Sequence, residues 1–234
     1  MDKPNKEVII NSIFGELIYQ SFIDDFENIN KEIIPHIEKF VKKTPGRFAA
    51  TTDVKDTTQN ENFQGVKDDL HLDKKYENLF NQIRKNIKAF LRAKKYDENK
   101  FDAHITKSWA TYSTKDQHIA SHRHTASHYS ACYYVRAEEM GNLWFEEDQA
   151  AKRGLFIPPS DEYITNWNRL NFPKYLMKAK SGSLVIFPGI LPHETQPNTK
   201  NVPRISISSD ILLTMKEGVK AEHCIPHPTG WMTV

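Results

Sequence analysis

The second half of this chain is a succession of short strand-like runs, and that pattern constrains the fold more than any other feature. From Phe101 onward, His104–Tyr112, Ser130–Val135, Gly141–Phe145, Leu184–Phe187 and Ile205–Leu213 are strand-like, and Gly, Pro and Asn clusters punctuate them. Several short strands separated by turn signals argue for a sandwich or a barrel. A longer segment, Asp148 to Lys180, carries Phe156, Pro158, Pro159, Tyr163, Trp167, Phe172 and Tyr175. A loop of that length inside a compact domain is a lid or binding loop, or it hides short elements of its own.

The first hundred residues have a different period. Val8 to Phe22 is strand-like with a turn at Gly15. Phe26, Ile29, Ile33, Ile37, Phe40 and Val41 then recur at steps of three and four, a helical stripe interrupted by Pro35. A kink, or two short helices with the second starting near Pro35, is expected there. Thr44 to Leu70 is polar and reads as an extended loop region. Tyr76, Leu79, Phe80, Ile83, Ile87, Phe90 and Leu91 form a second apolar face, with Asp73 as its expected cap. Both helices are expected to pack on a sheet, and their stripes could also serve a homodimer.

At 234 residues the chain suits a single domain. We expect 1–100 as a helix and strand support region, 101–213 as the β core with an insertion at 148–180, and 214–234 as a C-terminal arm. A net charge of +2 is too small to call for nucleic acid or membrane as a partner, and basic stretches such as Arg84 to Lys95 alternate with apolar residues as on a solvated helix face. Cys132 and Cys224 form no metal-ribbon spacing, and a reduced protein is expected, although one disulfide would also be allowed. The N-terminus lacks a long apolar region and a cleavage site, and no run approaches the length needed to span a bilayer. The expected location is the cytoplasm, with no transmembrane segment.

Four of the ten histidines fall between His118 and His128. In a strand, residues i and i+2 face the same way, so His122 and His124 can share one cavity while Arg123 faces away. Neutral imidazole suits iron, zinc, copper and nickel, although solvated loop histidines or an adventitious surface pair would give the same spacing. Further on, a small-residue turn, an apolar strand and a proline-rich bend lead to His193. Arg204 follows eleven positions later, in a strand otherwise apolar at Ile205, Ile207 and Ile211. A cation there needs an anionic partner, either a local acidic residue or a dicarboxylate gripped by the guanidinium fork. Ser206 shares its strand face.

Taken together, Tyr112 ten residues before His122, His122-Arg-His124, Tyr133-Tyr134, Gly141-Asn-Leu143-Trp-Phe145, Pro192-His193-Glu-Thr-Gln-Pro197 and Arg204 resemble the iron(II)- and 2-oxoglutarate-dependent dioxygenases, in particular their prolyl-hydroxylase-like branch. With Ser108-Trp109, Ser127 and Ser130, the pattern is closer still to uncharacterised phage and marine bacterial members that carry an HxH in place of HxD, with Thr125 here where that pattern has proline. The resemblance covers a bit under half of the chain. It implies a double-stranded β-helix (jelly-roll, cupin-like) core with the N-terminal helices on one sheet. It also implies an oxidoreductase that uses Fe(II), 2-oxoglutarate and dioxygen to hydroxylate a C–H bond, releasing succinate and CO2. His122, His124 and His193 would bind the metal. Arg204 would bind the distal carboxylate, helped by Ser206 and Tyr134, or less readily by Tyr112 or Tyr133. No catalytic side chain outside the metal centre is implied. The substrate would be a small molecule or a peptidyl residue, with an amino acid as the prior.

One departure stands out. The usual facial triad is two histidines and one carboxylate, and His124 occupies the carboxylate position. Three neutral ligands leave the metal one unit more positive, which a dianionic cosubstrate would offset. Glu194 or Asp116 supplying a carboxylate, or a two-histidine site completed by water, are the alternatives at this position. At the level of function, the alternatives are a three-histidine cupin dioxygenase that needs no 2-oxoglutarate and a non-catalytic jelly-roll binding module.

Overall fold

The computed structural model describes residues 15–43, 56–57, 69–97, 99–138, 140–147, 160–162, 164–167, 172–220 and 222–233. Strand β1 (Tyr19–Phe22) precedes helix α1 (Phe26–Lys43), a two-residue strand β2 (Asp56–Thr57) and helix α2 (Glu77–Ala93). The β core follows as β3 (Phe101–Ser113), β4 (Tyr129–Arg136), β5 (Leu143–Glu146), β6 (Lys174–Met177), β7 (Ser183–Pro188), β8 (His193–Thr195) and β9 (Arg204–Met215). The expected strand at Val8 lies outside the described residues in its first half, and its last four residues form β1.

Two antiparallel sheets face each other. The larger runs β1-β7-β4-β9-β3-β2 and the smaller β6-β5-β8. An isolated bridge between His122 and His193 extends the smaller sheet by one extended segment. This is a jelly-roll core, mainly β as its punctuated strands predict. The period-2 alternation of the strands divides the larger sheet into two faces. On one face Tyr133, Leu184, Ile186, Ile205, Ile207 and Ile211 pack with Ile29, Ile33, Ile37, Leu79, Ile83 and Ile87 of the helices. On the other, Tyr134, Val185 and Phe187 meet Leu143, Phe145 and Met177 of the smaller sheet. Full burial of an aliphatic side chain stabilises by roughly 1.5–3 kcal/mol, so the helical layer contributes much of what holds the large sheet in shape.

Four expectations change here. Residues on both sides of Pro35 belong to one helix, α1, rather than to two short ones. Proline removes only one intrahelical bond, and Pro35 and Lys31, whose carbonyl it frees, both lie on the exposed side of the helix. The packed isoleucine face carries the helix across. Asp73 does not cap α2; its side chain accepts from the Lys75 N–H in the short 3-10 turn before the helix. The segment 148–180 is not all insertion, because residues 174–177 pair with β5 as a full member of the smaller sheet. Finally, the described residues of the helical stripes, Ile29, Ile33 and Ile37 of α1 and Leu79 to Leu91 of α2, are packed in the chain's own core, so their apolarity no longer argues for a dimer. No described helix is long and apolar enough to cross a membrane.

Candidate metal centre

His193 opens β8, and the His122 backbone pairs with it in both directions, N to O at 3.0 Å each way. His124 is tied by its own N–H to the Gly189 carbonyl at 2.8 Å. The segment around 122–128 therefore lies in the gap between the sheets, against the turn that joins β7 to β8. That approach depends on a missing side chain. A Cβ on Gly189 would come within 2.5 Å of Ser127 Oγ and 2.8 Å of the His124 carbonyl.

The i, i+2 relation brings His122 and His124 together, and the β7–β8 turn adds His193. One ligating atom from each lies within 4.8 Å of the others. His122 and His124 approach through their Nε2 atoms at 3.3 Å. The outer nitrogens are all engaged. His122 Nδ1 faces the Ala120 carbonyl at 2.9 Å and His193 Nδ1 faces the Leu191 carbonyl at 2.9 Å. His124 Nδ1 meets Asp210 Oδ1 at 2.5 Å. Carbonyl and carboxylate oxygens only accept, so these partners assign the proton to Nδ1 in each ring. Three bare lone pairs are left converging. Burial pushes the His193 pKa down to about 3, helped by the neighbouring His122, and His122 is lowered chiefly by burial as well. Both shifts favour the neutral ring at His122 and His193, the form in which imidazole binds metal.

The same cavity holds Arg204, Tyr134, Ser206, Trp109 and Thr111. Arg204 is 2% exposed. Its Nη1 donates to the Gly141 carbonyl at 2.7 Å and its Nη2 to Ser113 Oγ at 3.5 Å, while Nε has no hydrogen-bond partner. The Tyr134 hydroxyl is buried without a partner too, close enough to Arg204 and Cys132 to feel both. Its pKa lies well above the usual phenol value, chiefly from burial, so it is a donor. Unpaired buried donors around a cation are costly, and a carboxylate is the group that would satisfy them. Gly141, at φ +60°, leaves room for Arg204, whose Cδ would sit 3.0 Å from an added Cβ.

The other expected residues are elsewhere. Tyr112 lies on the opposite face of β3, packed against the helix-side core. It is therefore removed from the expected cosubstrate contacts, because its even position in β3 turns it away from the odd-numbered Trp109 and Thr111. Tyr133 points the same way, and its hydroxyl donates to Asn30 at 2.6 Å. Glu194 alternates out of the cavity and pairs with Lys174 at 2.8 Å. Asp116 sits in a turn at φ 66°. Ser108 anchors the turn before α2 by accepting the His71 N–H at 2.8 Å. Asp210 is the residue that sequence reasoning missed. The available signal was parity, since it shares the inward face of β9 with Arg204, Ser206 and Ser208. Cys132 and Cys224 are free thiols, Cys132 against the cavity and Cys224 exposed.

Residues 107–210 match the family model described as "Putative 2OG-Fe(II) oxygenase". That stretch of the chain is similar to the 2-oxoglutarate–Fe(II) oxygenases. The matched span runs from β3 to Asp210 and contains all three clustered histidines and Arg204. The family's metal and cosubstrate are iron(II) and 2-oxoglutarate, and this donor set fits both. Metal–nitrogen bonds of about 2.1 Å at right angles separate two ligand nitrogens by about 3 Å, close to the His122–His124 spacing. No curated protein matches the sequence.

Solved structures of the same fold include a Pseudomonas putida prolyl-4-hydroxylase, with 10% identity over 84% of this chain and 92% of that one at TM-score 0.53. The epimerase SnoN in complex with Fe3+, alpha ketoglutarate and nogalamycin RO aligns at 11% identity over 91% of each chain, TM-score 0.58. A Trichoplax adhaerens prolyl hydroxylase in complex with a hypoxia inducible factor peptide fragment aligns at 12% identity over 83% of each, TM-score 0.51. At these identities the likeness is one of fold.

Proposed function

We propose that this oxygenase is an iron(II)- and 2-oxoglutarate-dependent hydroxylase in which His122, His124 and His193 hold the metal and Arg204 holds the distal carboxylate of the cosubstrate. One observation carries this reading: three bare imidazole nitrogens converge in a cavity that also contains a buried, incompletely paired guanidinium. The bound metal and cosubstrate supply the oxidation itself, in which a substrate C–H becomes C–OH while 2-oxoglutarate and the second oxygen atom leave as succinate and CO2.

The chain's own residues prepare that chemistry by holding groups in place. The carbonyls of Ala120 and Leu191 keep His122 and His193 in the tautomer that offers Nε2. Arg204 is pinned by the Gly141 carbonyl, leaving its Nε–H to meet a carboxylate together with the Tyr134 hydroxyl. Ser206, opposite Tyr134 in the β4–β9 ladder, adds a hydroxyl on the same face. A peptidyl or free amino-acid substrate follows from the prolyl-hydroxylase-like order of the motifs, and a panel of amino acids and short peptides tests that finer claim.

The reading as a whole is tested anaerobically. Iron(II) with 2-oxoglutarate should give the weak visible charge-transfer band of the chelate, and oxygen should then yield succinate. Absence of both would sink it. Oxygen uptake indifferent to 2-oxoglutarate and to Arg204→Ala would point instead to a three-histidine dioxygenase without the cosubstrate.

A further inference from the structure

Asp210 is a buried carboxylate, 8% exposed, on a strand whose other inward residues are Arg204, Ser206 and Ser208. Its Oδ1 lies 2.5 Å from His124 Nδ1 and also accepts from Ser130 Oγ at 3.4 Å. His122 and His193 present their Nδ1 atoms to neutral backbone carbonyls at 2.9 Å. Among the three rings, the described contacts place an anion behind His124 alone. Trp109 stacks on the same ring, with centroids 5.7 Å apart and planes 19° from parallel. Carboxylate and indole together leave His124 one plane and one direction.

We propose that Asp210 is a positioning residue for the metal centre, acting through His124 to fix its ring and to return to the site the negative charge that a carboxylate ligand would have supplied directly. The inference rests on the reading of His124 as a ligand. A charge-assisted hydrogen bond on the distal nitrogen raises the basicity of the coordinating one, and loss of such a partner commonly costs about 10–100-fold in metal affinity. A carboxylate at position 124 would touch the metal itself; here it stands one imidazole further out, 86 positions away in sequence. This answers the charge deficit of a three-histidine centre.

The test uses the full chain stripped of metal and titrated with Co(II), recording both affinity and the visible d–d spectrum. Asp210→Asn should weaken Co(II) binding by roughly 10–100-fold and shift the spectrum, while Asp210→Glu should restore part of the affinity. In a His124→Ala background the same Asn substitution should add no further loss. Wild-type affinity and spectrum in Asp210→Asn would overturn the proposal. So would an equal loss with and without His124, which would mark Asp210 as merely structural. If Asp210→Asn does not fold, Asp210→Ser, which also removes the carboxylate, decides in its place: wild-type Co(II) affinity and spectrum in that variant refute the positioning role. Failure of the wild-type chain to bind Co(II) would remove the metal-centre reading and this proposal together, whereas normal wild-type binding with an indifferent Asp210 removes this proposal only.

Discussion

At the scale of single residues, Arg204 and His193 share one cavity but have separable consequences. Arg204 has a free Nε–H and touches none of the three imidazoles in the described contacts, so its removal should leave the metal site intact. Arg204→Ala should weaken 2-oxoglutarate binding by the value of a hydrogen-bonded charge, about 1.5–3 kcal/mol, or roughly ten- to a hundred-fold. Metal affinity should stay unchanged. Parallel titrations with Co(II) and with 2-oxoglutarate check both halves, and loss of metal binding in this variant would contradict the division of labour. Parity along the strand made Arg204 readable, because a cation amid outward isoleucines has one face left to occupy. The same alternation turns Tyr112 of β3 and Tyr133 of β4 toward the helices.

At the scale of elements, the joint between the β7–β8 turn and the segment 122–128 decides whether the histidines meet. Gly189 is its tightest point, since an added Cβ would lie 2.5 Å from Ser127 Oγ, 2.8 Å from the His124 carbonyl and 2.9 Å from the Ser127 carbonyl. Two of these contacts are backbone, which cannot swing aside. Gly189→Ala should therefore push the 122–128 segment outward, lowering the thermal midpoint and weakening metal binding by at least tenfold. Calorimetry with and without Co(II) reads both effects, and a variant with wild-type metal affinity would show that the segment is not held by this contact. Helix α1 makes the opposite point. Pro35 argues locally for a break, yet Ile29, Ile33 and Ile37, each at most 4% exposed, continue as one face through it. Tertiary burial outweighs one missing hydrogen bond.

For the molecule as a whole, burying neutral histidines links stability to pH. His193 has its pKa lowered from 6.5 to about 3 in the folded protein, whereas the unfolded chain binds the proton at the ordinary value. Between those values the unfolded state carries more protons, so stability rises with pH and is lost as pH falls from about 6.5 toward 3. His122 shifts in the same direction. The metal-free protein should accordingly show a thermal midpoint that falls as pH drops through 6, and His193→Asn should flatten that dependence. A midpoint unchanged between pH 7 and 5 would contradict it. Metal binding to the folded state alone should raise the midpoint at neutral pH through mass action.

What the sequence determined by itself was whatever depends on local periodicity. The alternation of two placed His122 and His124 on one side, the steps of three and four marked both helical faces, and the punctuated strands selected a β core. These follow because a residue's face is set by its neighbours in the chain. The closing of the site depended on contacts far apart in sequence. His193 reaches His122 through a backbone bridge, Asp210 reaches His124 from the last core strand, and residues 174–177 join the smaller sheet from within an apparent insertion. Local patterning cannot choose between the two sides of a sandwich, because either face of a strand can be buried. Only the stacking of the sheets decided that Tyr134 enters the cavity while Tyr112 and Tyr133 support it from behind.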